Sequence, residues 1–332
     1  MRRIILLFVI AGSLTIAQDT KSSFFDESPS KEYLISNILV EGEVENPGMV
    51  DLTSLPLNGF PVKNISYGKD KNRFLGAYFF SGFSLFDILK QKKIKKANEG
   101  EFRPFVDLYI IIENAKGEKA VFSWGEIFYS KDNFKVIIAK SVRAINPPNM
   151  KMKWQLPDET QLVCGNDAFN FRNIVNPTKI IIKSFAGKYS QERVKDLYTP
   201  EFEMVNLDRS FVVKEIVNVE KRNFRGIGYG HGMGWKGIEN IEGFVFKDVL
   251  KSYILFDKQL IGNTILCVSA KDGYRVTFSL SEILNRNDMN DVLLIEITNS
   301  TVEGKYNLFA TPDFFVDRNV RSVEKIEILT VN

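Results

Sequence analysis

Residues 80–90 read FSGFSLFDILK and residues 241–251 read IEGFVFKDVLK. Gly82, Phe83, Asp87, Leu89 and Lys90 reappear as Gly243, Phe244, Asp248, Leu250 and Lys251. Further pairs keep the same order. Phe122-Ser123 and Glu126-Ile127 match Phe278-Ser279 and Glu282-Ile283, and Arg172-Asn173 and Lys179-Ile180 match Arg318-Asn319 and Lys325-Ile326. Along the chain the offset shrinks from 161 residues (243 − 82) to 146 (318 − 172), as loop deletions would produce. A repeat of this size marks a duplication of a whole folding unit, since solenoid periods are much shorter.

A chain of 332 residues suits two such units. With 44% hydrophobic and 12% aromatic residues it has enough apolar material for packed cores. The formal charge is only +3, so no nucleic-acid partner is implied. Arg2 and Arg3, the apolar stretch 4–11 and the small-residue site at Ala17 read as an export signal cleaved after Ala17. The apolar run is too short for a membrane span, so the expected location is periplasmic or secreted with no transmembrane segment.

Alternating apolar and polar positions predict strands near 33–44, 61–67, 105–113, 120–123, 135–143, 161–164, 179–183, 211–219, 264–269, 275–278, 292–297 and 325–329. Short helices are expected at the anchor blocks, at 124–128 and at 281–284, with Ser84 as an N-cap. The expected fold is therefore α+β: a signal at 1–17, a flexible lead-in at 18–32, a first strand-dominated domain at 33–185, a linker at 186–203 and a second domain at 204–332. Lys90, Lys92, Lys93, Lys95 and Lys96 form a basic run that is either a solvated helix end or a docking patch for an acidic partner. Cys164 and Cys267 are expected as buried free thiols, although spacing leaves an inter-domain disulfide open.

The opening ILVEGEVENPGMVDLTSLP, both anchor blocks, AKDGYRVTFSLSEIL and the closing RNVRSVEKIEI resemble the molybdopterin-binding domain of the sulfite oxidase-like family, in two tandem copies. The resemblance implies an oxidoreductase whose molybdenum is held by one Cys thiolate on the segment before the anchor block. Those segments are VKNISYGKDKNRF, with Ser66 or Tyr67 at the place, and IVNVEKRNFRG, with Asn218. Neither holds a Cys, and a hydroxyl or amide is no substitute for a soft thiolate. Molybdopterin thus stays possible through the resemblance, while no cofactor is the expectation from the residues.

Tyr274 matches the family's active-site Tyr, so the resemblance makes it the catalytic candidate, with Asn218, His231, Asp272 and Arg318 as cofactor-binding candidates. Each has a plainer alternative. Asp272 in Asp272-Gly273-Tyr274 is equally a turn residue, and Tyr274 a core aromatic. Arg172 and Arg318 either grip a ligand phosphate or cap structure. The stretch GIGYGHGMGW, carrying the lone His231, reads as a glycine-rich loop that either approaches an anion or is a surface insertion. One His without a Cys partner makes no zinc site, and neither a phosphate-binding P-loop nor a nucleophile elbow is present. The expected function is an exported binding or scaffold protein acting on an unknown protein or a small anionic ligand. The alternatives are an active molybdopterin enzyme with an atypical metal ligand, or a carrier of a pterin-like anion.

Overall fold

The computed structural model describes residues 28–147, 153–189, 196–206, 209–298, 300 and 302–331. The expected signal at 1–17, most of the lead-in and residues 190–195 of the expected linker lie outside them.

The first half runs β1 (Lys31–Glu32), β2 (Asn37–Gly42), β3 (Gly48–Asp51), β4 (Asn58–Ser66), β5 (Arg73–Ser84), α1 (Leu85–Leu89), β6 (Leu108–Asn114), β7 (Lys119–Ser123), α2 (Trp124–Phe128), β8 (Val136–Ala144), β9 (Leu162–Cys164) and β10 (Pro177–Ser184). The second runs β11 (Phe202–Asn206), β12 (Arg209–Val213), β13 (Lys221–Gly230), β14 (Gly234–Val245), α3 (Phe246–Tyr253), β15 (Thr264–Ala270), β16 (Arg275–Ser279), α4 (Leu280–Leu284), β17 (Leu293–Glu296), β18 (Tyr306–Phe309) and β19 (Val323–Thr330).

One sheet of the first half has the order β3-β2-β10-β6-β7, and one of the second has β12-β11-β19-β15-β16. In each, the second and third strands are parallel, β2 with β10 and β11 with β19. The remaining sheets, β1-β8-β5-β4 with β9 on β8, and β13-β14-β17-β18, also correspond apart from the added β1. The duplication read from the anchor blocks is thus repeated strand by strand.

The expected α+β class of two tandem domains is overturned. The chain is mostly β, with 47% strand and 11% helix, and its four sheets are arranged as a four-bladed, propeller-like ring. The helices are only five to eight residues long, so none forms a layer of its own. The anchor blocks account for much of the difference. Their aromatic openings, Phe80–Ser84 and Ile241–Val245, are the ends of β5 and β14, and only the last residues turn helical. Gly82 is required there because a Cβ would stand 2.1 Å from the Ile138 carbonyl oxygen, where the β5–β8 register shifts.

Nor do the halves stand apart as separate domains. The first core packs Ile38, Val40, Leu85, Ile88, Ile110, Phe122, Ile138 and Ile180, and the second packs Phe246, Leu250, Leu266, Phe278, Leu294 and Ile326. A further cluster joins Tyr109, Ile111 and Val121 to Ile265 and Cys267 across the junction. Charged groups are buried at the same junction, as described below.

Candidate binding clefts between the halves

The two arginines that the repeat singled out lie side by side at the junction. Arg318 is fully buried, and its guanidinium donates to Asp313 at 2.7 and 2.6 Å, Glu282 at 2.6 Å, Ser123 Oγ at 2.9 Å and the Thr277 carbonyl at 3.2 Å. Arg172 does the same with Asp167, Glu126, Ser279 Oγ and the Val121 carbonyl. Each arginine also lies 4.3 Å over a phenylalanine of its own half, Phe122 or Phe278.

The serines complete the exchange. Ser123 caps α2 and donates to Glu282 at 2.7 Å, while Ser279 caps α4 and donates to Glu126 at 3.0 Å. Burial pushes the Glu126 and Asp313 carboxyls up against the opposing pull of the arginines. Arg318, a cofactor-binding candidate from the sequence, therefore has its donors taken up by the protein itself.

Where the halves meet on either side of this network, two clefts open. One, of about 700 Å³, takes Phe86, Lys90, Lys92, Lys93, Phe105, Trp124, Phe128 and Tyr129 from the first half and His231 and Phe315 from the second. Its floor is a product of helix geometry. Trp124 and Phe128 stand four residues apart on α2, share one face, and stack at 4.0 Å and 11°. Phe86 of α1 meets Phe128 at 5.3 Å, and Phe105 meets Trp124 at 6.1 Å.

Lysines gather at the rim because α1 ends there. Lys90 pairs with Asp87 at 2.5 Å and Lys93 with Glu45 at 2.7 Å. Lys92 donates to the Asn46 carbonyl at 3.0 Å, so among the described residues it has no carboxylate partner. Lys96 is not part of the rim. It is buried in an ion pair with Asp107 at 2.6 Å, and burial lowers its pKa.

His231 closes the far wall. Its ring meets Phe315 edge-on at 5.1 Å, and its backbone N–H donates to Asp317 at 3.0 Å. The Tyr274 hydroxyl donates to the carbonyl of the same Asp317 and its ring packs edge-on against Phe102, so it braces the wall from behind without lining the cleft. Burial, then the Asp317 charge, raises the Tyr274 hydroxyl and pushes Tyr129 up to about 12, so both stay protonated donors. Asp272 accepts the Tyr274 N–H at 3.0 Å beside Gly273 at φ 80°, which is the turn reading. Asn218 lies in the exposed β12–β13 loop at φ 59°, and no contact ties it to His231 or Tyr274 among the described residues.

The second cleft is the repeat of the first. Tyr67, Phe169 and Phe171 of the first half face Lys251, Ile254, Leu255, Phe256, Leu284 and Asn285 of the second, in adjoining lobes of about 450 and 690 Å³. Phe169 stands 146 residues before Phe315, and Leu284 stands 156 after Phe128. Leu280 and Leu284 occupy the places of Trp124 and Phe128, so this cleft has no stacked aromatic floor.

The thiols do not fit a metal-bound role at either cleft. Cys164 and Cys267 are free and buried, in different cores. Burial holds the Cys164 thiol high and pushes Cys267 up to about 12. The void that Cys164 borders is about 10 Å³, too small for a pterin. Among the described residues no group of three His, Cys, Asp or Glu could hold a metal ion, and no helix is long and apolar enough to cross a membrane.

Comparison with protein-family profiles, curated proteins and solved structures finds no match. The cleft of Trp124, Phe128 and Phe315 was not legible in the sequence, apart from His231 and the lysine run. Its one local signal was the pair of aromatics at i and i+4 in WGEIF.

Proposed function

We propose that this is a non-catalytic binding protein that holds a small anion with a planar aromatic body in the Trp124–His231 cleft. The stacked Trp124–Phe128 pair at 4.0 Å and 11° carries the reading. With Trp124 buried behind it, the half-buried Phe128 ring offers a flat apolar face inside a space of about 700 Å³, the size of ordinary small-molecule sites. Lys92 supplies positive charge at the rim, and the Tyr129 hydroxyl and the His231 ring supply polar contacts. The absence of an accessible thiolate supports binding over molybdenum redox chemistry.

A variant with Trp154→Phe and Trp235→Phe leaves Trp124 as the sole tryptophan reporter. Titration with a panel of aromatic carboxylates, pterins included, should give saturable quenching that weakens with added salt. Lys92→Glu and Phe128→Ala should each weaken it about tenfold, which is ~1.4 kcal/mol. Unchanged affinity in both variants would refute the site. Stoichiometric molybdenum and pterin in protein from a cofactor-competent host would refute the non-catalytic reading.

A further inference from the structure

The long hairpin of the second half follows the plan of the first but lacks its flank. In the first half β5 is paired on both edges, with β4 along one and with β8 along the other from Tyr78↔Ala144 to Ser84↔Ile137. In the second half β13 accompanies β14 from Lys221↔Phe244 to Gly230↔Gly234. On the other edge β17 pairs with β14 only at Phe244 and Val245, then turns aside to β18. β17 has four residues where β8 has nine. Among the described residues, the edge of β14 from Gly234 to Glu242 has no strand paired with it.

The same stretch exposes large apolar side chains. Ile227 pairs with Ile238 and Tyr229 with Trp235, and directly paired residues share a face of the ribbon. Their exposures are 69%, 56%, 40% and 71%, and Met233 at the turn is 82% exposed. An open edge bordered by apolar side chains is a template for another strand. What fills that edge elsewhere in the molecule indicates its occupant. In the first half the equivalent positions Tyr78–Ser81 are covered by Ser141–Ala144, an extended segment alternating Val142 and Ala144 with Ser141 and Arg143.

We propose that the open edge of β14 is a docking site for an extended segment of a partner polypeptide. The segment adds antiparallel to Ile238–Glu242, as β8 does to β5, and lays its apolar side chains beside Ile238 and Trp235. Backbone hydrogen bonds supply the attachment and the alternate side chains the selectivity. This site is separate from the Trp124–His231 cleft and does not depend on what that cleft holds.

The test uses the full chain and a synthetic peptide copying residues 136–146, the segment that fills the first-half edge. Hydrogen exchange should slow at least tenfold at alternate amides of Ile238–Glu242, those facing away from β13. Trp235 fluorescence should report saturable micromolar binding. Ile238→Lys, at a half-exposed position, should leave the melting temperature unchanged and weaken binding at least tenfold. The proposal is overturned if the peptide leaves exchange unchanged at millimolar concentration, or if Ile238→Lys binds like wild type. It is equally overturned if the free protein is already a dimer with this edge protected, or if lipid vesicles protect the edge and the peptide does not.

Discussion

Replacing Arg318 by methionine keeps much of the side-chain volume and removes the cation paired with both Asp313 and Glu282. Five hydrogen bonds disappear with it, each at 2.6–3.2 Å. Adding up gross hydrogen-bond strengths would overstate the cost, because a stranded carboxylate takes up a proton instead. From an unfolded pKa near 4, protonating one carboxyl at pH 7 costs roughly 4 kcal/mol. That agrees with the ~3–5 kcal/mol found when one partner of a buried ion pair is deleted. A loss of ~4 kcal/mol lowers the melting temperature by about 8 °C for a chain somewhat larger than those that lose 2–4 °C per kcal/mol.

The sign of the pH dependence follows. Burial already raises the Asp313 carboxyl in the wild type, and Arg318 is what pulls it back. Without Arg318 the folded pKa rises further. A group of this kind stabilises the fold fully below its unfolded pKa, and that contribution is lost as pH rises through the folded pKa. The deficit of the variant should therefore be full at pH 7 and largely gone near pH 4. Urea unfolding of wild type and Arg318→Met at both pH values measures it. A deficit below ~1 kcal/mol at pH 7, or an equal deficit at both values, would refute the account. The internal repeat adds a control, since Arg172→Met removes the matching set of bonds and should cost the same within ~1 kcal/mol.

Two further outcomes are expected. Gly125→Ala would place a Cβ 2.2 Å from Cδ of Arg318, which its hydrogen bonds hold in place, so the variant should lose ~1–3 kcal/mol in urea unfolding despite alanine's better helix propensity. Cys164 and Cys267 are buried with raised pKa values, so at pH 8 a thiol reagent should label neither in the native protein within minutes and both in urea, and rapid labelling of the folded chain would contradict their placement.

The parts of the fold legible in the sequence were those with local signatures. Ser84, Ser123 and Ser279 precede the helices they cap, and the strands around the Lys116-Gly117 turn fall where alternation put them. The strand share of the anchor blocks was underestimated, because an aromatic run such as FSGFSLF has no period that marks a buried strand. The stretch GIGYGHGMGW illustrates a related error. Its glycine content suggested a loop, yet Gly226, Gly228 and Gly230 alternate with Ile227 and Tyr229, the period of a strand, and the segment spans β13 and the start of β14. The junction was illegible for another reason. That Ser123 would meet Glu282 and Ser279 would meet Glu126, more than 150 residues away, is set by how the sheets dock and by no neighbouring residue.

Internal symmetry also separates residues that serve the fold from those that serve a ligand. In the central network each half completes the other, so its groups are present in both copies, whereas the buried Asp107–Arg275 pair crosses the junction once. The groups of the network are Arg172 and Arg318, Glu126 and Glu282, Asp167 and Asp313, and Ser123 and Ser279. A group that binds a ligand in one cleft is under no such requirement. Trp124 and Phe128 face Leu280 and Leu284 across the repeat, and His231, at the tip of its hairpin, corresponds to Tyr67 at the tip of the other. The leucines show that the helix pair packs well without an aromatic stack, since Leu280 is fully buried in its own core. Trp124 is itself buried in the first core and packs there, while the half-buried Phe128 presents its ring to the cleft. The two rings lie where the two copies differ in surface chemistry while their frames agree, which is where a binding function would be expected to diverge from the duplicated scaffold.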